Sequence, residues 1–217
     1  MQNKPIIAVI TPTFKRDIEV IERCIFSVAC QTYGIDAIKH IIVSENKEEK
    51  HVSDYLNSYN FEHITYINTK NPHFTFGNTA RNVGLEYIKH NLPDVDFICF
   101  VDDDNIIYPR YIETHVNFLI ENADIDFSIC KIVHNGPLPP HIGIPPKIID
   151  GNPPRIQNID SLQVMVKRNA MLDVNWANEW TKPNAYLADG ITYENLSKKY
   201  KYGFIDKILA IHIWKSN

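Results

Sequence analysis

The sequence has few of the features that mark zinc-binding, secreted, membrane-spanning or nucleic-acid-binding proteins. Its 217 residues include only four cysteines, and none of them forms a CxxC pair, which argues against a zinc site or a disulfide framework. No segment reaches the roughly 18 apolar residues that a membrane-spanning helix needs. The formal net charge of −4 gives no support for a nucleic-acid partner held by electrostatic attraction.

The N-terminus also lacks a secretory signal. Its short apolar run covers residues 6–11 and is interrupted by Pro12, so it is too short and wrongly flanked for a signal peptide. We therefore expect a cytosolic protein with reduced cysteines. With 44% hydrophobic and 22% charged residues, the chain has ordinary globular composition and can bury one sizeable core. We expect residues 1–217 to form a single domain.

Strand-like apolar runs alternate with helix-like patterns through the first part of the chain. The segment 17–31, for example, carries apolar residues at positions 18, 21, 25, 28 and 29, close to the 3.6-residue period of a helix. This alternation predicts an α/β domain with a mainly parallel sheet and helices on both faces. Strands are predicted at 6–11, 38–44, 63–67, 95–101 and 125–133, and helices at 17–31, 50–59, 77–91 and from residue 109 onward.

The pattern changes after residue 133. Seven of the 13 prolines fall between residues 137 and 154, where they favour an irregular and fairly stiff loop. A long loop of this kind is either a lid or binding loop, or a surface excursion without a role. Regular structure is expected to resume with the segment 161–168, an amphipathic helix at 186–200 and a strand at 204–214.

Three consecutive carboxylates, Asp102, Asp103 and Asp104, directly follow the apolar run 95–101. That run is typical of a strand buried on both faces, so the carboxylates are expected at its carboxyl end, where open α/β sheets bind ligands. Oxygen ligands there suit Mg²⁺ or Mn²⁺, which carboxylates commonly hold together with substrate phosphates. The alternative is a solvated acidic turn in which Asp104 caps the following helix.

Polar residues also follow the first two predicted strands. Thr11, Pro12 and Thr13 end the first strand, and Glu45 follows the second. Since the carboxyl ends of parallel strands meet at one edge of a sheet, these residues should face the same crevice as the three aspartates. A carboxylate in that crevice could accept a hydrogen bond from the imide N–H of uracil. Alternatively, Glu45 is simply a surface residue.

Four elements in this order resemble glycosyltransferase family 2 of the GT-A fold. They are the strand end PTFKR, the acidic turn after the second strand, and the segments GNTARNVGL and FVDDDN. The resemblance implies a GT-A, or nucleotide-diphospho-sugar transferase, fold. It also implies a nucleotide-sugar half at about residues 1–125 and an acceptor half at about residues 126–217.

The activity that the resemblance implies is transfer of a sugar from a nucleotide-diphosphate donor, expected to be a UDP-sugar, to an acceptor hydroxyl. The implied cofactor is Mn²⁺ or Mg²⁺, with Asp104 as a direct ligand. Asp103 would contact the ribose and Asp102 would support both, while Glu45 would contact the base in place of the usual aspartate. The implied nucleotide-sugar-binding residues are Pro12, Thr13, Arg16, Glu45, Arg81, Asp102 and Asp103.

The catalytic base is implied by a later segment, YLADGITYENL. Members of the family resemble one another in placing an acidic residue at the start of a late helix, usually within an E-D pair. Here Asp189 holds the second position and Ala188 replaces the glutamate. Asp189 is therefore the predicted base of an inverting transfer. The alternatives are that Asp189 caps the helix and that Glu194 is the base.

A late histidine joins the metal ligands in several GT-A enzymes, and the resemblance suggests His212 for this part. The segment ILAIHIW alternates, so Ile211 and Ile213 are expected in the core while His212 and Trp214 face the crevice. Trp214 would then cover the sugar or the acceptor. The alternative is a structural His212 that is hydrogen-bonded far from Asp104.

Two other functions stay open. A sugar nucleotidylyltransferase needs a glycine-rich loop after its first strand, and TPTFKRD contains no glycine. A non-catalytic nucleotide-sugar-binding module is compatible with the alanine at position 188. The expected partners are a nucleotide-sugar donor and a glycan, a lipid-linked or another hydroxyl acceptor, with no nucleic acid. The expected location is the cytoplasm, including peripheral association with the cytoplasmic face of the membrane.

Overall fold

The computed structural model describes residues 4–46, 50–59, 61–69, 75–135, 147–177 and 184–213. The strands are β1 (Ile6–Thr13), β2 (Ile38–Ser44), β3 (Ile64–Asn68), β4 (Val95–Phe100), β5 (Ile106–Ile107), β6 (Phe127–Asn135), β7 (Ile148–Ile149), β8 (Val164–Lys167) and β9 (Tyr202–Ile213). The α-helices are α1 (Ile18–Ala29), α2 (Lys50–Tyr59), α3 (Asn78–Asn91), α4 (Tyr111–Glu121), α5 (Arg168–Val174) and α6 (Ala188–Lys199).

Most predicted elements lie within a few residues of their observed bounds. The segment 161–168 divides into a 3-10 turn at Ser161–Gln163, strand β8 and the first residue of α5, a helix that the sequence analysis did not predict. Residues 136–146, the greater part of the proline-rich segment, lie outside the described residues. The choice between a binding loop and a surface excursion therefore stays a prediction.

The described strands form one sheet in the order β3-β2-β1-β4-β8-β6-β9-β5, with β7 paired to β6. Strands β1 to β4 run parallel to one another, and β6 runs parallel to β9. Strand β8 lies between β4 and β6 and is antiparallel to both. Strands β1 to β4 thus form the parallel sheet that was predicted, and the later strands add antiparallel pairings.

Helices cover both faces of the sheet, as predicted. In β1, Ile7 and Val9 pack with side chains of α1 and α4, whereas Ala8 and Ile10 pack with side chains of α3, α5 and α6. All four β1 residues are fully buried, which is why this strand reads as a continuous apolar run. No helix within the described ranges is both long enough and apolar enough to cross a bilayer.

Strand register brings the polar strand ends together. Ile10 of β1 pairs with Phe100 of β4, so β1 continues past the end of β4 and lies beside the turn that starts at Asp102. On the other side of that turn, Ile106 of β5 pairs with Ile211 near the end of β9. The C-terminal strand therefore ends next to the acidic turn that the sequence singled out.

Candidate active site

Two arginines from different elements hold the three aspartates after β4 together. Arg16, in the turn between β1 and α1, places its Nε 2.9 Å from Asp103 Oδ1 and its Nη2 2.8 Å from Asp104 Oδ2. Arg81, on α3, forms an ion pair with Asp102. The repulsion between three neighbouring carboxylates is thus reduced by guanidinium groups in direct contact with them.

Burial disfavours the ionised form of the carboxyls in this acidic turn. Asp103 is 4% exposed, and burial raises the pKa of its carboxyl to about 7, with Arg16 opposing the shift and Asp104 and Asp102 adding to it. Burial likewise raises the pKa of Asp104, again against the effect of Arg16. A nearby cation favours the ionised form of each group. The Arg16 guanidinium therefore stabilises the ionised forms of Asp103 and Asp104.

Arg81 is fixed in place more firmly than Arg16. Its side chain is 5% exposed, its Nη1 donates to the Phe76 carbonyl over 3.0 Å, and its guanidinium lies 4.6 Å from the Trp176 ring centre, a cation–π contact. Gly77, which precedes α3, has a φ of +78°, and a side chain there would collide with Arg81 and Pro12. Both features explain the glycine of GNTARN.

Pro12 and Thr13 lie at the carboxyl end of β1, where the resemblance requires them. Both residues are buried. The Thr13 carbonyl accepts a hydrogen bond of 3.0 Å from the Glu45 N–H, which ties the end of β1 to the residue after β2. These two residues therefore belong to the base of the crevice, and their contact with a nucleotide stays a prediction.

Glu45 has surroundings that contradict its predicted contact with the base. Its side chain is fully buried, and its two oxygens accept hydrogen bonds from the Thr75 hydroxyl, the Thr75 N–H at 2.9 Å and the Ala80 N–H at 3.0 Å. The Ala80 N–H belongs to the first turn of α3, where backbone donors lack intrahelical partners and an anion is stabilised. Glu45 is thus a cap for α3 and does not offer its oxygens to the crevice.

Asp189 lies in the first turn of α6. Burial raises the pKa of its carboxyl to about 7, Asp160 acts in the same direction, and Arg81 acts in the opposite one. A carboxylate with a pKa near neutrality suits a general base. One of its oxygens also accepts the Gly190 N–H at 2.8 Å, but Asp189 is not the N-cap of α6, which is Leu187. The second candidate, Glu194, instead forms a surface ion pair of 3.2 Å with Lys198.

His212 reaches the site beside a residue that the sequence analysis missed. Its Nδ1 lies 2.9 Å from Asp160 Oδ2, and its ring meets the His134 ring edge to face with centres 5.0 Å apart. Asn105 holds this end of β9, because its Oδ1 accepts the Ile213 N–H over 3.0 Å. The residue after the three aspartates therefore positions the strand that carries the histidine.

The protonation state of His212 differs from the neutral form that a metal ligand requires. Burial alone would lower its pKa, but Asp160, Asp102 and Asp104 raise it to about 9. The imidazole is therefore protonated at neutral pH and must lose a proton before it could bind a metal.

The expected orientation of the residues around His212 on β9 was wrong. Ile211 and Ile213 are only partly buried, whereas Ala210 is fully buried, so the isoleucines do not take the core. The predicted covering role of Trp214 lies outside the described residues.

Asp160 is held by its own turn. Its Oδ1 accepts the Leu162 N–H at 2.9 Å, and its N–H donates to Gln163 Oε1 at 3.0 Å, which together form a capping box. Gln163 in turn donates to the carbonyls of Cys130 and Ile149. The spacing of Asp160 and Gln163 is a recognisable helix-start signal, but it does not indicate the partnership with a histidine on β9.

The side chains fit a divalent cation in part. Among the described residues, no three His, Cys, Asp or Glu side chains lie close enough together to hold a metal ion. Asp103 and Asp104 nevertheless share one positive group, the guanidinium of Arg16. Mg²⁺ and Mn²⁺ are often held by one or two carboxylates plus substrate phosphates. These two aspartates fit such an ion when a diphosphate supplies the remaining oxygens.

A clustered acidic turn, arginines beside it and a late-helix carboxylate at the carboxyl edge of an α/β sheet are features of the GT-A class of nucleotide-diphospho-sugar transferases. Comparison with known proteins agrees. The chain belongs to glycosyltransferase family 2, since the family model "Glycosyl transferase family 2" matches residues 8–169. No protein with a curated description matches the chain significantly.

Solved glycosyltransferase structures share this fold. S. aureus TarS 1–349 in complex with UDP-GlcNAc matches with a TM-score of 0.72 at 16% identity, covering 98% of this chain and 59% of that one. A second match is the mannosyltransferase PcManGT from Pyrobaculum calidifontis in complex with GDP-Man and Mn²⁺. Its TM-score is 0.66 at 12% identity, and the match covers 97% of this chain and 57% of that one. This chain thus spans less than two-thirds of the length of either structure.

Proposed function

We propose that this chain transfers a sugar from a UDP-sugar to an acceptor hydroxyl, with inversion at the anomeric carbon and with Mg²⁺ or Mn²⁺ as cofactor. Membership of glycosyltransferase family 2 supports a nucleotide-sugar donor. One observation carries the proposal. The arginine-paired aspartates that follow β4 and the partly buried carboxyl of Asp189 lie close enough to influence one another electrostatically. The first group suits a diphosphate with its cation, and the second suits an acceptor hydroxyl.

The acidic turn is proposed to bind the diphosphate end of the donor. Asp104 would bind the cation directly, Asp103 would contact the ribose, and Asp102 would support both. Arg81, already paired with Asp102, would face the phosphates, since its guanidinium fork matches phosphate oxygens. His212 would join the ligands of the cation only after losing its proton.

The nucleotide is proposed to lie against Pro12 and Thr13 at the end of β1. Our choice of UDP follows the uridine nucleotide named in the TarS complexes, whereas PcManGT was solved with GDP-Man. Glu45 makes no contact with the base in this arrangement, because its side chain caps α3.

Asp189 is proposed as the base. The acceptor oxygen forms a bond to the anomeric carbon while the bond from that carbon to the diphosphate oxygen breaks, and the acceptor proton passes to the carboxylate of Asp189. A bound divalent cation would neutralise charge that develops on the departing diphosphate. Arg81 adds positive charge on the same side of the crevice, from a buried position where such charge acts strongly.

The two halves of the chain are proposed to bind the two substrates. We propose a single domain in which residues 1–125 bind the nucleotide-sugar and residues 126–217, which contain Asp160, Asp189 and His212, bind the acceptor. The acceptor would be a glycan, a lipid-linked or another hydroxyl compound. A cytoplasmic location, including the cytoplasmic face of the membrane, belongs to this proposal too.

A binding screen followed by a turnover assay tests the function. Melting temperature would be measured with UDP or GDP, each with Mn²⁺ or with EDTA. A ligand that binds the folded state raises it by mass action. We expect UDP with Mn²⁺ to give the largest rise, and UDP-sugars to release UDP when an acceptor is supplied. Binding without release from any donor would favour a non-catalytic module, and release of pyrophosphate from UTP with a sugar phosphate would favour a nucleotidylyltransferase.

A further inference from the structure

The side chain of Arg16 occupies the space beside Asp103 and Asp104 in which a divalent cation would bind. Arg16 contacts Asp103 and Asp104 through two different nitrogens, at 2.9 Å and 2.8 Å. A cation bound to Asp104, its proposed direct ligand, would lie close to the guanidinium that already pairs with Oδ2 of that carboxylate. A guanidinium and a divalent ion repel each other at contact distance, so the two cannot share the carboxylates.

We propose that Arg16 is a displaceable internal cation, which holds Asp103 and Asp104 in the free protein and moves to the donor's diphosphate when Mg²⁺ or Mn²⁺ binds. The inference rests on the proposed function, because it needs a diphosphate and a cation at this turn. It adds a second step to donor binding that neither the family nor the fold assigns.

Arg16 is attached in a way that allows this movement. Its main chain is anchored, since His51 Nε2 lies 3.0 Å from its carbonyl oxygen and α1 begins two residues later. Its side chain is 25% exposed, so the long arginine stem can turn without unpacking the core. Arg81 differs in each respect, because it is 5% exposed and is fixed by the Phe76 carbonyl and the Trp176 ring. Arg16 is therefore the mobile one of the two.

The exchange couples the cation to the nucleotide. A cation that binds alone must separate two charge-assisted hydrogen bonds and leave Arg16 without them, and each such bond corresponds to about tenfold or more in affinity. A cation that arrives with a diphosphate gives Arg16 a new anionic partner whose oxygens match its fork. Binding is thus cooperative, and UDP must raise the affinity for Mn²⁺ by the same factor as Mn²⁺ raises the affinity for UDP.

Direct measurement of Mn²⁺ binding tests the proposal. Free Mn²⁺ would be quantified by electron paramagnetic resonance in titrations of the whole chain, with and without UDP. The variants are Arg16→Gln and, as a matched control, Arg23→Gln, which removes an exposed arginine of α1. We expect the unaltered protein to bind Mn²⁺ at least about tenfold more tightly with UDP than without it. Arg16→Gln should bind Mn²⁺ alone at least about tenfold more tightly than the unaltered protein, and Arg23→Gln should behave like the unaltered protein.

Two outcomes separate this inference from the proposed function. If UDP and Mn²⁺ bind together but Arg16→Gln gains no affinity for Mn²⁺ alone, the inference is wrong and the function stands. If the unaltered protein binds neither UDP nor Mn²⁺, both fail.

A second measurement covers the case in which Arg16→Gln does not fold. The Nε–H resonance of Arg16, assigned by its loss in Arg16→Lys, would be followed in the unaltered protein during titration with Mg²⁺ and UDP. We expect a large shift only when both are present. An unchanged resonance in a protein that UDP and Mg²⁺ together stabilise would overturn the inference.

Discussion

The pH dependence of catalysis tests Asp189 most directly. Burial raises the pKa of this carboxyl to about 7, and Asp160 acts in the same direction. A base works only in its ionised form, so kcat/KM should level off above about pH 7 and fall about tenfold for each pH unit below it. At pH 6 about a tenth of the molecules would carry ionised Asp189. The pH profile of kcat/KM can be compared with the pKa of Asp189 in this structure, because kcat/KM reports groups of the free enzyme.

The assay is the initial rate of UDP release with donor and acceptor well below their KM values and with fixed Mn²⁺, from about pH 5.5 to 8.5. Asp189→Asn keeps the shape of the side chain but removes its basicity. We expect the rate to fall about 10²-fold or more while affinity for UDP is retained. Near-normal turnover would refute the assignment, whereas an acid limb alone would not, because the pKa of Asp103 is also raised to about 7.

The same pKa shift predicts how stability varies with pH. The folded carboxyl has a pKa of about 7, above the value of about 4 in an unfolded chain. Its stabilising contribution is therefore fully present below about pH 4 and is lost as the pH rises through about 7. Asp189→Asn has no such group. The free energy of unfolding in urea should rise for the variant relative to the unaltered protein as the pH increases from about 4 to 7, and level off above that; a constant difference would contradict the raised pKa of Asp189.

Four other substitutions have defined outcomes. Glu45→Ala should lower the free energy of unfolding by about 2–4 kcal/mol, because the donors of Thr75 and the Ala80 N–H of α3 lose their acceptor, and a change near zero in urea melts would remove its capping role. Gly77→Ala should cost about 1–3 kcal/mol for its left-handed φ and weaken UDP binding in calorimetry. Asp104→Ala should make the melting temperature of the UDP complex insensitive to EDTA; continued Mn²⁺ dependence would exclude Asp104 as the direct ligand. His212→Ala should lower the melting temperature of the free protein, since Asp160 loses its charged partner, whereas an unchanged value would show that the pair is not stabilising.

The parts of the fold that depend on local sequence were predictable. The uniform apolar run of β1 follows from helices on both of its faces, and the glycine before α3 follows from its left-handed backbone. The antiparallel insertion of β8 between β4 and β6 was not predictable. Periodicity identifies a strand but not its neighbour or its direction, since both are set by packing between segments far apart in the chain.

The site shows the same limit at the level of single side chains. The sequence located Asp102, Asp103 and Asp104 at a strand end, which is a local inference. It misassigned Glu45, because a carboxylate after a strand can either face the crevice or cap the next helix, and only the position of α3 decides between these. It also missed Asp160, whose partner His212 is brought close by the register of β9 against β6.

Charge pairing in the free protein distinguishes the proposed base from the other acidic groups. Asp102 is paired with Arg81, the next two aspartates are paired with Arg16, and Asp160 is paired with His212. Within the described part of the chain, Asp189 lies partly buried in the same region without an ion pair of its own. A cation in direct contact would hold a carboxylate in its ionised form and lower its affinity for a proton, which is useful for binding but unsuitable for a base. Asp103 also has a raised pKa, but it stays in contact with Arg16. Asp189 lacks such a contact, and we therefore propose it as the carboxylate that takes a proton from an acceptor hydroxyl.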